Sequence, residues 1–173
     1  HIDIDFCKKR KICVANVPFY GENTVAEHTF ALILALSRNV HKAYCRTIRQ
    51  DFSLEELQGF DLKRKTLGVI GCGKIGLHVI RIAKGFGMEV VAYDTKRVVF
   101  LQEVLGYRYV PFEELLGASD VISLHVPYNK KTHHLINKES LKKVKRGAIL
   151  INTARGGLVE TEALVWALDQ GII

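Results

Sequence analysis

Thr66-Leu-Gly-Val-Ile-Gly-Cys-Gly-Lys-Ile-Gly76, with the apolar helical run after it and Glu89-Val-Val-Ala-Tyr-Asp94 beyond, is the stretch that decides the fold. Leu67, Val69 and Ile70 form a short apolar run that suits a buried parallel strand. Gly71, Gly73 and Gly76 then hold the G-x-G-x-x-G spacing. The first glycine permits a tight turn, the second lets the backbone approach a pyrophosphate, and the third lets the helix pack close to the strand. Ile75, Val79, Ile80, Ile82 and Ala83 recur with helical spacing. The start of that helix offers unpaired N–H groups and a positive dipole end to phosphates. Val90, Val91 and Ala92 read as a second strand closed by Asp94. Such units place an acidic residue about 20 residues past the glycines, where it bonds the 2′-hydroxyl of an adenine ribose. The glycines alone also fit an ordinary turn. Strand, glycines, helix, strand and terminal Asp together predict a dinucleotide site. Asp94 would repel a 2′-phosphate and so favours NAD over NADP, while Lys96 and Arg97 beside it pull the other way.

Composition sets the class around this unit. The chain has 173 residues, enough for one well-buried domain, and 48% of them are apolar. This is the composition of a soluble globular protein. No apolar run reaches the length of a membrane span, so no membrane partner is expected. Cys7, Cys13, Cys45 and Cys72 form no C-x-x-C pair, and a disulfide at Cys72 would obstruct the glycine loop. Free thiols and a cytoplasmic setting follow. The net charge of +7 gathers in Lys8 to Lys11, Lys63 to Lys65, Lys130-Lys131 and Lys142 to Arg146. No nucleic-acid motif or interleaved aromatic residue accompanies these runs, so they read as solvated faces that help steer an anionic cofactor and substrate.

Along the chain, residues 1 to 11 suggest a short polar helix and Ile12 to Ala15 a brief strand. Asn23 or Thr24 is a candidate cap, with Glu27 as capping-box partner, for a helix running to about residue 50. Its part from Phe30 to Leu36 is apolar nearly all round, which predicts a subunit or domain interface and a homodimer. After Asp94 come a helix over 98–105, a strand over 107–110, a small helix behind Pro111 and a buried strand over 121–126. A helix from Asn137 or Lys138, a strand over 148–152 and a helix over 158–168 complete the series. Strands alternating with helices predict an α/β fold, a doubly wound parallel sheet. Ligands of such sheets bind outside the carboxyl ends of the strands. That rule places the glycine loop, Asp94, His125-Val126-Pro127 and Thr153-Ala154-Arg155 in one crevice.

Arg155 is the main candidate for chemistry there. It follows a buried strand and precedes Gly156-Gly157, so its guanidinium is placed to hold a carboxylate bidentately. By spacing alone, a surface ion pair explains Arg155 equally well. His125 reads as a hydrogen-bonded rim residue and not as an acid/base. His133 and His134 suggest a metal pair, but adjacent histidines on one element point apart and no spaced carboxylate or Cys joins them, so no metal is expected.

The chain resembles, over its whole length, the NAD-binding domain of the D-isomer-specific 2-hydroxyacid dehydrogenases. The resemblance rests on Gly68-Val-Ile-Gly-Cys-Gly-Lys-Ile-Gly76, on Leu124-His-Val-Pro127 with Thr132-His-His-Leu-Ile-Asn137, and most specifically on Asn152-Thr-Ala-Arg-Gly-Gly-Leu-Val159. Asn23-Thr-Val-Ala-Glu-His-Thr29 looks like the start of the family's interdomain and dimer helix, and Asn16-Val-Pro-Phe-Tyr20 looks most like its D-lactate dehydrogenase branch. The resemblance implies that Arg155 anchors a substrate carboxylate, that Lys74 and Ile75 meet the pyrophosphate through their backbone, and that Asp94 binds the adenosine ribose. It further implies that Val126, Pro127 and Thr132 line NAD, that Thr153 and Ala154 lie on the nicotinamide side, and that Tyr20 lies near a small 2-hydroxy or 2-keto acid. In the family a histidine assisted by a glutamate does the acid/base work, and no residue here matches that motif. Residues 1–173 are thus expected to be the NAD-binding domain of a longer two-domain enzyme, without its substrate domain and inactive alone. The rival expectation is a non-catalytic NAD-sensing scaffold or corepressor-like protein of the same fold.

Overall fold

The computed structural model describes residues 2–17 and 21–173. A short helix α1 (Ile4–Lys9) precedes α2 (Glu22–Ser37) and α3 (Val40–Thr47). The central unit follows as β1 (Thr66–Ile70), α4 (Lys74–Gly85) and β2 (Glu89–Tyr93). The remainder alternates as α5 (Val99–Leu105), β3 (Arg108–Tyr109), α6 (Phe112–Ala118), β4 (Val121–Leu124), α7 (Lys138–Leu141), β5 (Ile149–Asn152) and α8 (Thr161–Asp169). The strands form one parallel sheet in the order β3-β2-β1-β4-β5, a doubly wound arrangement with its reversal between β1 and β4.

Both faces of the sheet are covered, which is why β1 and β4 are apolar without alternation. Leu67 and Val69 face a core shared with Ala26, Phe30 and Ile33 of α2 and Val79, Ile80 and Ala83 of α4. Ile70 faces the opposite core with Leu115, Leu116, Ile122 and Leu124. Gly68 lets α6 lie close, since a Cβ there would stand 2.2 Å from the Ser119 hydroxyl and 2.6 Å from Leu115.

The helix expected from Asn23 to about residue 50 is two helices. It opens on Gly21, in the left-handed region, with no side-chain cap, so the capping box at Thr24 does not form. It breaks at Asn39, whose φ is +52°. The break is tertiary in origin. The Asn39 side-chain amide donates to the Gln58 carbonyl, and the Phe60 N–H donates to the Ser37 carbonyl. Gly59 passes so close that a Cβ would lie 2.2 Å from that same carbonyl oxygen. The segment around residue 59 thereby takes up the end of α2. Ile12 to Ala15 joins no strand, and β4 stops at Leu124. The last helix begins at Thr161, because Ile136 and Val159 form a bridge that holds the chain extended before it.

Asp120 fastens the edge of the sheet remote from the glycine loop. Its carboxylate accepts the Thr66 N–H at 2.8 Å and the Lys145 ammonium at 2.6 Å. Burial pushes its pKa up, but Lys145 and the Thr66 N–H outweigh burial and hold the carboxyl below the ordinary value. A depressed carboxyl pKa adds stability at pH above the unfolded value, and that stability is lost as pH falls through the folded one. Asp120→Asn is therefore expected to lower stability at neutral pH and to flatten its fall below about pH 4, as read by urea denaturation across pH.

Candidate functional site

Parallel register aligns four strand ends in one row: Tyr93 beside Ile70, Ile70 beside Leu124, and Leu124 beside Asn152. The segments that leave this row are the glycine loop, Asp94, His125 to Pro127, and Thr153 to Arg155. The four places expected to share a crevice therefore leave a common edge of the sheet.

The glycine loop has the geometry that a pyrophosphate cradle needs. Gly71 takes φ +101°, and a Cβ there would stand 2.7 Å from the His125 backbone. A Cβ at Gly76 would stand 2.0 Å from the Gly71 carbonyl oxygen, so only glycine lets α4 start this close to β1. At Gly73 a Cβ would meet nothing within 4 Å, which leaves the approach to the backbone open from outside. Gly73 is the N-cap of α4 and brings no side chain to cap the turn that follows. A helix N-terminus with its dipole and an open approach fit a diphosphate. Lys74 reaches across to Glu22 of α2 at 3.8 Å.

Asp94 braces the loop as well as facing it. One carboxylate oxygen accepts the Cys72 N–H at 2.7 Å and the other accepts the Lys96 N–H at 2.8 Å. Each oxygen has a further lone pair, so the group retains capacity for ribose hydroxyls. Beneath it lies a set that motif reading missed. The Tyr107 hydroxyl donates to the Tyr109 hydroxyl at 2.9 Å, and the Arg97 guanidinium stands over the Tyr109 ring at 5.9 Å. Burial, with Asp94 adding to it, pushes the Cys72 thiol up to about 12 despite a hydrogen bond to Tyr109, so Cys72 stays a neutral thiol. A Tyr-x-Tyr pair on a short strand was the only sequence trace of this set.

His125 follows β4, with its N–H on the Ile70 carbonyl at 2.7 Å and its Nε2 at 2.8 Å from the Ser123 hydroxyl. Burial lowers its pKa to about 4, so the ring is neutral at physiological pH. Val126 is partly buried and Pro127 exposed. Thr132 closes that loop by donating to the Pro127 carbonyl at 2.6 Å and accepting the Asn129 N–H at 2.8 Å. His133 and His134 do not point apart. They lie in a turn where His134 takes φ +50°, and their rings stack at 3.7 Å. No group of three metal-ligating side chains forms among the described residues. The Tyr128 hydroxyl meets His133 Nδ1 at 3.0 Å, and its ring lies where a Cβ on Gly157 would be, 2.6 Å away. The His134 N–H donates to the Gly157 carbonyl at 2.9 Å. The loop after β4 thus supports the loop that carries Arg155.

Asn152 shapes that second loop. Its side chain donates to the Arg155 carbonyl at 2.9 Å and accepts the Ala154 N–H at 3.1 Å. Arg155 is exposed, and its Nη1 donates to the Ala154 carbonyl at 2.8 Å. Arg155, Thr153 and Asn152 line one wall of a cleft of about 480 Å³, with Thr24, His28 and Leu32 of α2 opposite. Tyr20 lies outside the described residues.

Residues 30–173 match the family model of the D-isomer specific 2-hydroxyacid dehydrogenase NAD binding domain. Over 98% of its length the chain is 45% identical to a 2-hydroxyacid dehydrogenase homolog of Haemophilus influenzae and 42% identical to D-lactate dehydrogenase of Escherichia coli. It spans 51% of each of those proteins. A crystal structure of D-lactate dehydrogenase from Aquifex aeolicus complexed with NAD and lactic acid superposes with a TM-score of 0.91 at 47% identity, covering 99% of this chain and 52% of that one. The NAD assignment made from Asp94 agrees with these matches, and no helix among the described residues is long and apolar enough to cross a membrane. The chain belongs to the D-isomer-specific 2-hydroxyacid dehydrogenases, and residues 30–173 correspond to their NAD-binding domain.

Proposed function

We propose that the chain is the cofactor-binding half of an enzyme that moves hydride between NAD and C2 of a D-2-hydroxy acid or 2-keto acid, with D-lactate and pyruvate the first pair to test. The observation that carries this reading is the row of strand ends, which sets an open glycine cradle and an arginine loop at one edge of the sheet. Bound NAD supplies the hydride carrier. In this reading Gly71, Gly73, Lys74, Ile75 and Gly76 hold the pyrophosphate by backbone N–H groups, and Asp94 holds the adenosine ribose. Val126, Pro127, Thr132, Thr153 and Ala154 line the other half of the cofactor. Arg155 grips the substrate carboxylate with its planar fork and stabilises charge growing on the carbonyl oxygen. Tyr20 is assigned near the substrate.

The proton that accompanies hydride needs a donor that titrates near neutrality. His125 is unsuited, being partly buried, neutral and engaged with Ser123. Membership of the family supports assigning the proton to a histidine paired with a glutamate in a longer protein, outside these 173 residues. Leu32, Leu36, Val40, Tyr44 and Ile48 expose apolar surface along α2, α3 and the residue after it, which supports a homodimer built on these helices. Four free cysteines suit a reducing, cytoplasmic setting.

The test is NADH oxidation by the intact protein with pyruvate, glyoxylate and hydroxypyruvate, alongside NAD binding. Turnover of at least one acid is expected from the intact protein, and NAD binding without turnover from residues 1–173 alone. An intact protein that binds NAD and reduces none of the three acids is instead a sensing scaffold.

A further inference from the structure

Two of the four basic runs, Lys63-Arg64-Lys65 and Lys142 to Arg146, precede the amino ends of β1 and β5. The glycine loop and Arg155 leave the opposite edge. A five-residue strand sets the two edges about 16 Å apart, and physiological salt screens exposed charge over about 8 Å. The steering expected of these runs therefore does not reach the cradle, and their charge faces another surface.

The two runs adjoin each other. Only β4 separates β1 from β5, so the strands begin about 10 Å apart. Asp120 lies between them: Lys145 bonds its carboxylate at 2.6 Å, and the charge of Lys65 acts on it as well. Lys142 pairs with Glu139 at 2.6 Å and Lys143 with Glu113 at 3.3 Å. Lys63, Arg64, Lys65 and Arg146 form no ion pair among the described residues.

No aromatic residue is interleaved with these charges in the sequence, but the fold brings two beside them. The Arg64 N–H donates to the Gly87 carbonyl at 2.9 Å, which sets the first run against the end of α4. Phe60 and Phe86 there are 37% and 40% exposed. With Leu62, Lys63, Arg38 and Asp61 they line a cleft of about 240 Å³, in which Arg38 engages Asp61 at 3.1 Å. The Lys65 ammonium stands 5.6 Å over the Phe60 ring, and Phe86 stacks on Phe30 at 5.4 Å. Exposed rings beside a row of cations are what a single-stranded nucleic acid needs, since bases stack on the rings and phosphates follow the charge. The cations extend from the cleft across to Arg146, which suits a strand with several phosphates and not one nucleotide.

We propose that the amino edge of the sheet binds a single-stranded nucleic acid, with one base in the Phe60–Phe86 cleft and the adjoining phosphates on Lys63, Arg64, Lys65 and Arg146. Anionic membranes and acidic proteins match the charge but bring no flat base for the cleft.

The experiment measures anisotropy of a labelled 12-nucleotide single-stranded RNA on titration with the intact protein, at several salt concentrations. Saturable binding is expected at about 50 mM salt, with log K falling against log salt with a slope of about −3. The triple variant Lys63→Glu, Arg64→Glu, Lys65→Glu should weaken binding more than tenfold, and Arg146→Glu about threefold. Phe60→Ala and Phe86→Ala should each weaken it about fivefold or more. Phe60 contributes only backbone to the end of α2, through its N–H on Ser37, so F60A keeps the test decisive if F86A folds poorly. NADH affinity and turnover should be unchanged in the charge variants. No binding at 50 mM salt overturns the proposal. So does affinity indifferent to F60A and matched by duplex RNA or by phosphatidylserine vesicles, which is the mark of a merely basic face. Displacement of the RNA by NADH also overturns it, because the strand would then occupy the glycine cradle.

Discussion

Arg155→Met is expected to lower kcat/KM of the intact enzyme about 10³-fold while NAD affinity changes less than about twofold. Methionine keeps the length of the side chain and removes the planar fork. The fork itself donates to the Ala154 carbonyl, but other contacts also hold the loop. Asn152 holds it through the Arg155 carbonyl and the Ala154 N–H, both backbone groups. The loop after β4 supports it from the other side through the contact of Tyr128 with Gly157. The cofactor platform should therefore survive while the substrate carboxylate loses its anchor and the developing oxyanion loses its donor.

Arg155→Lys sharpens the point, because it keeps the charge but not the bidentate geometry, and an intermediate loss is expected. The measurements are steady-state kinetics with the best 2-keto acid and a direct titration with NADH. Full activity in R155M would return Arg155 to the surface ion pair that spacing alone allowed.

Gly76→Val and Gly73→Ala should separate stability from binding within one loop. A Cβ at position 76 would stand 2.0 Å from the Gly71 carbonyl oxygen and 3.4 Å from Val69 Cγ1. The nearer obstacle is strand-end backbone, which cannot swing aside. Valine is expected to cost about 3 kcal/mol of stability, or a melting temperature lower by about 6–12 °C for a chain of this size. NAD binding is expected to be lost with it, since α4 can no longer begin where its N–H groups face the phosphates.

Gly73 differs because its φ is −72° and a Cβ there meets no atom within 4 Å. Alanine should leave stability within about 0.5 kcal/mol. Its methyl would stand at the opening over the first turn of α4, and NAD affinity should fall about tenfold. Thermal melts paired with NADH titration check both variants. Normal NAD affinity in G73A would show that the pyrophosphate does not cross Gly73.

The unit from β1 to β2 was legible because its signals are local. An apolar run, three spaced glycines and helical periodicity follow one another, and each fixes the conformation of the residues that bear it. The crevice was legible for a related reason: all-parallel strands bring their carboxyl ends to one edge whatever their order. The break between α2 and α3 was not legible. Phe30 to Ser37 and Val40 to Thr47 are both good helix, and the interruption comes from the segment around residue 59 taking up Ser37 and Asn39. The stacking of His133 on His134 was misread because it depends on the left-handed backbone at His134, which periodicity does not reveal. Asp94 stood out in the sequence as a candidate ribose ligand, but its bracing of Cys72 and Lys96 appeared only with the folded loop.

By itself, the sequence determined the parallel sheet, the glycine cradle and the family, and it singled out Arg155 as the candidate for a substrate contact. These follow from chemistry carried by residues near one another in the chain. The tertiary structure decided where the long helix stops, which groups support Arg155, that His125 is a partly buried neutral ring, and that Thr29 meets Thr153. Each of these depends on burial or on a hydrogen bond between distant segments. Thr29 and Thr153, 124 residues apart, have no pattern in common until the fold brings their oxygens to 3.0 Å.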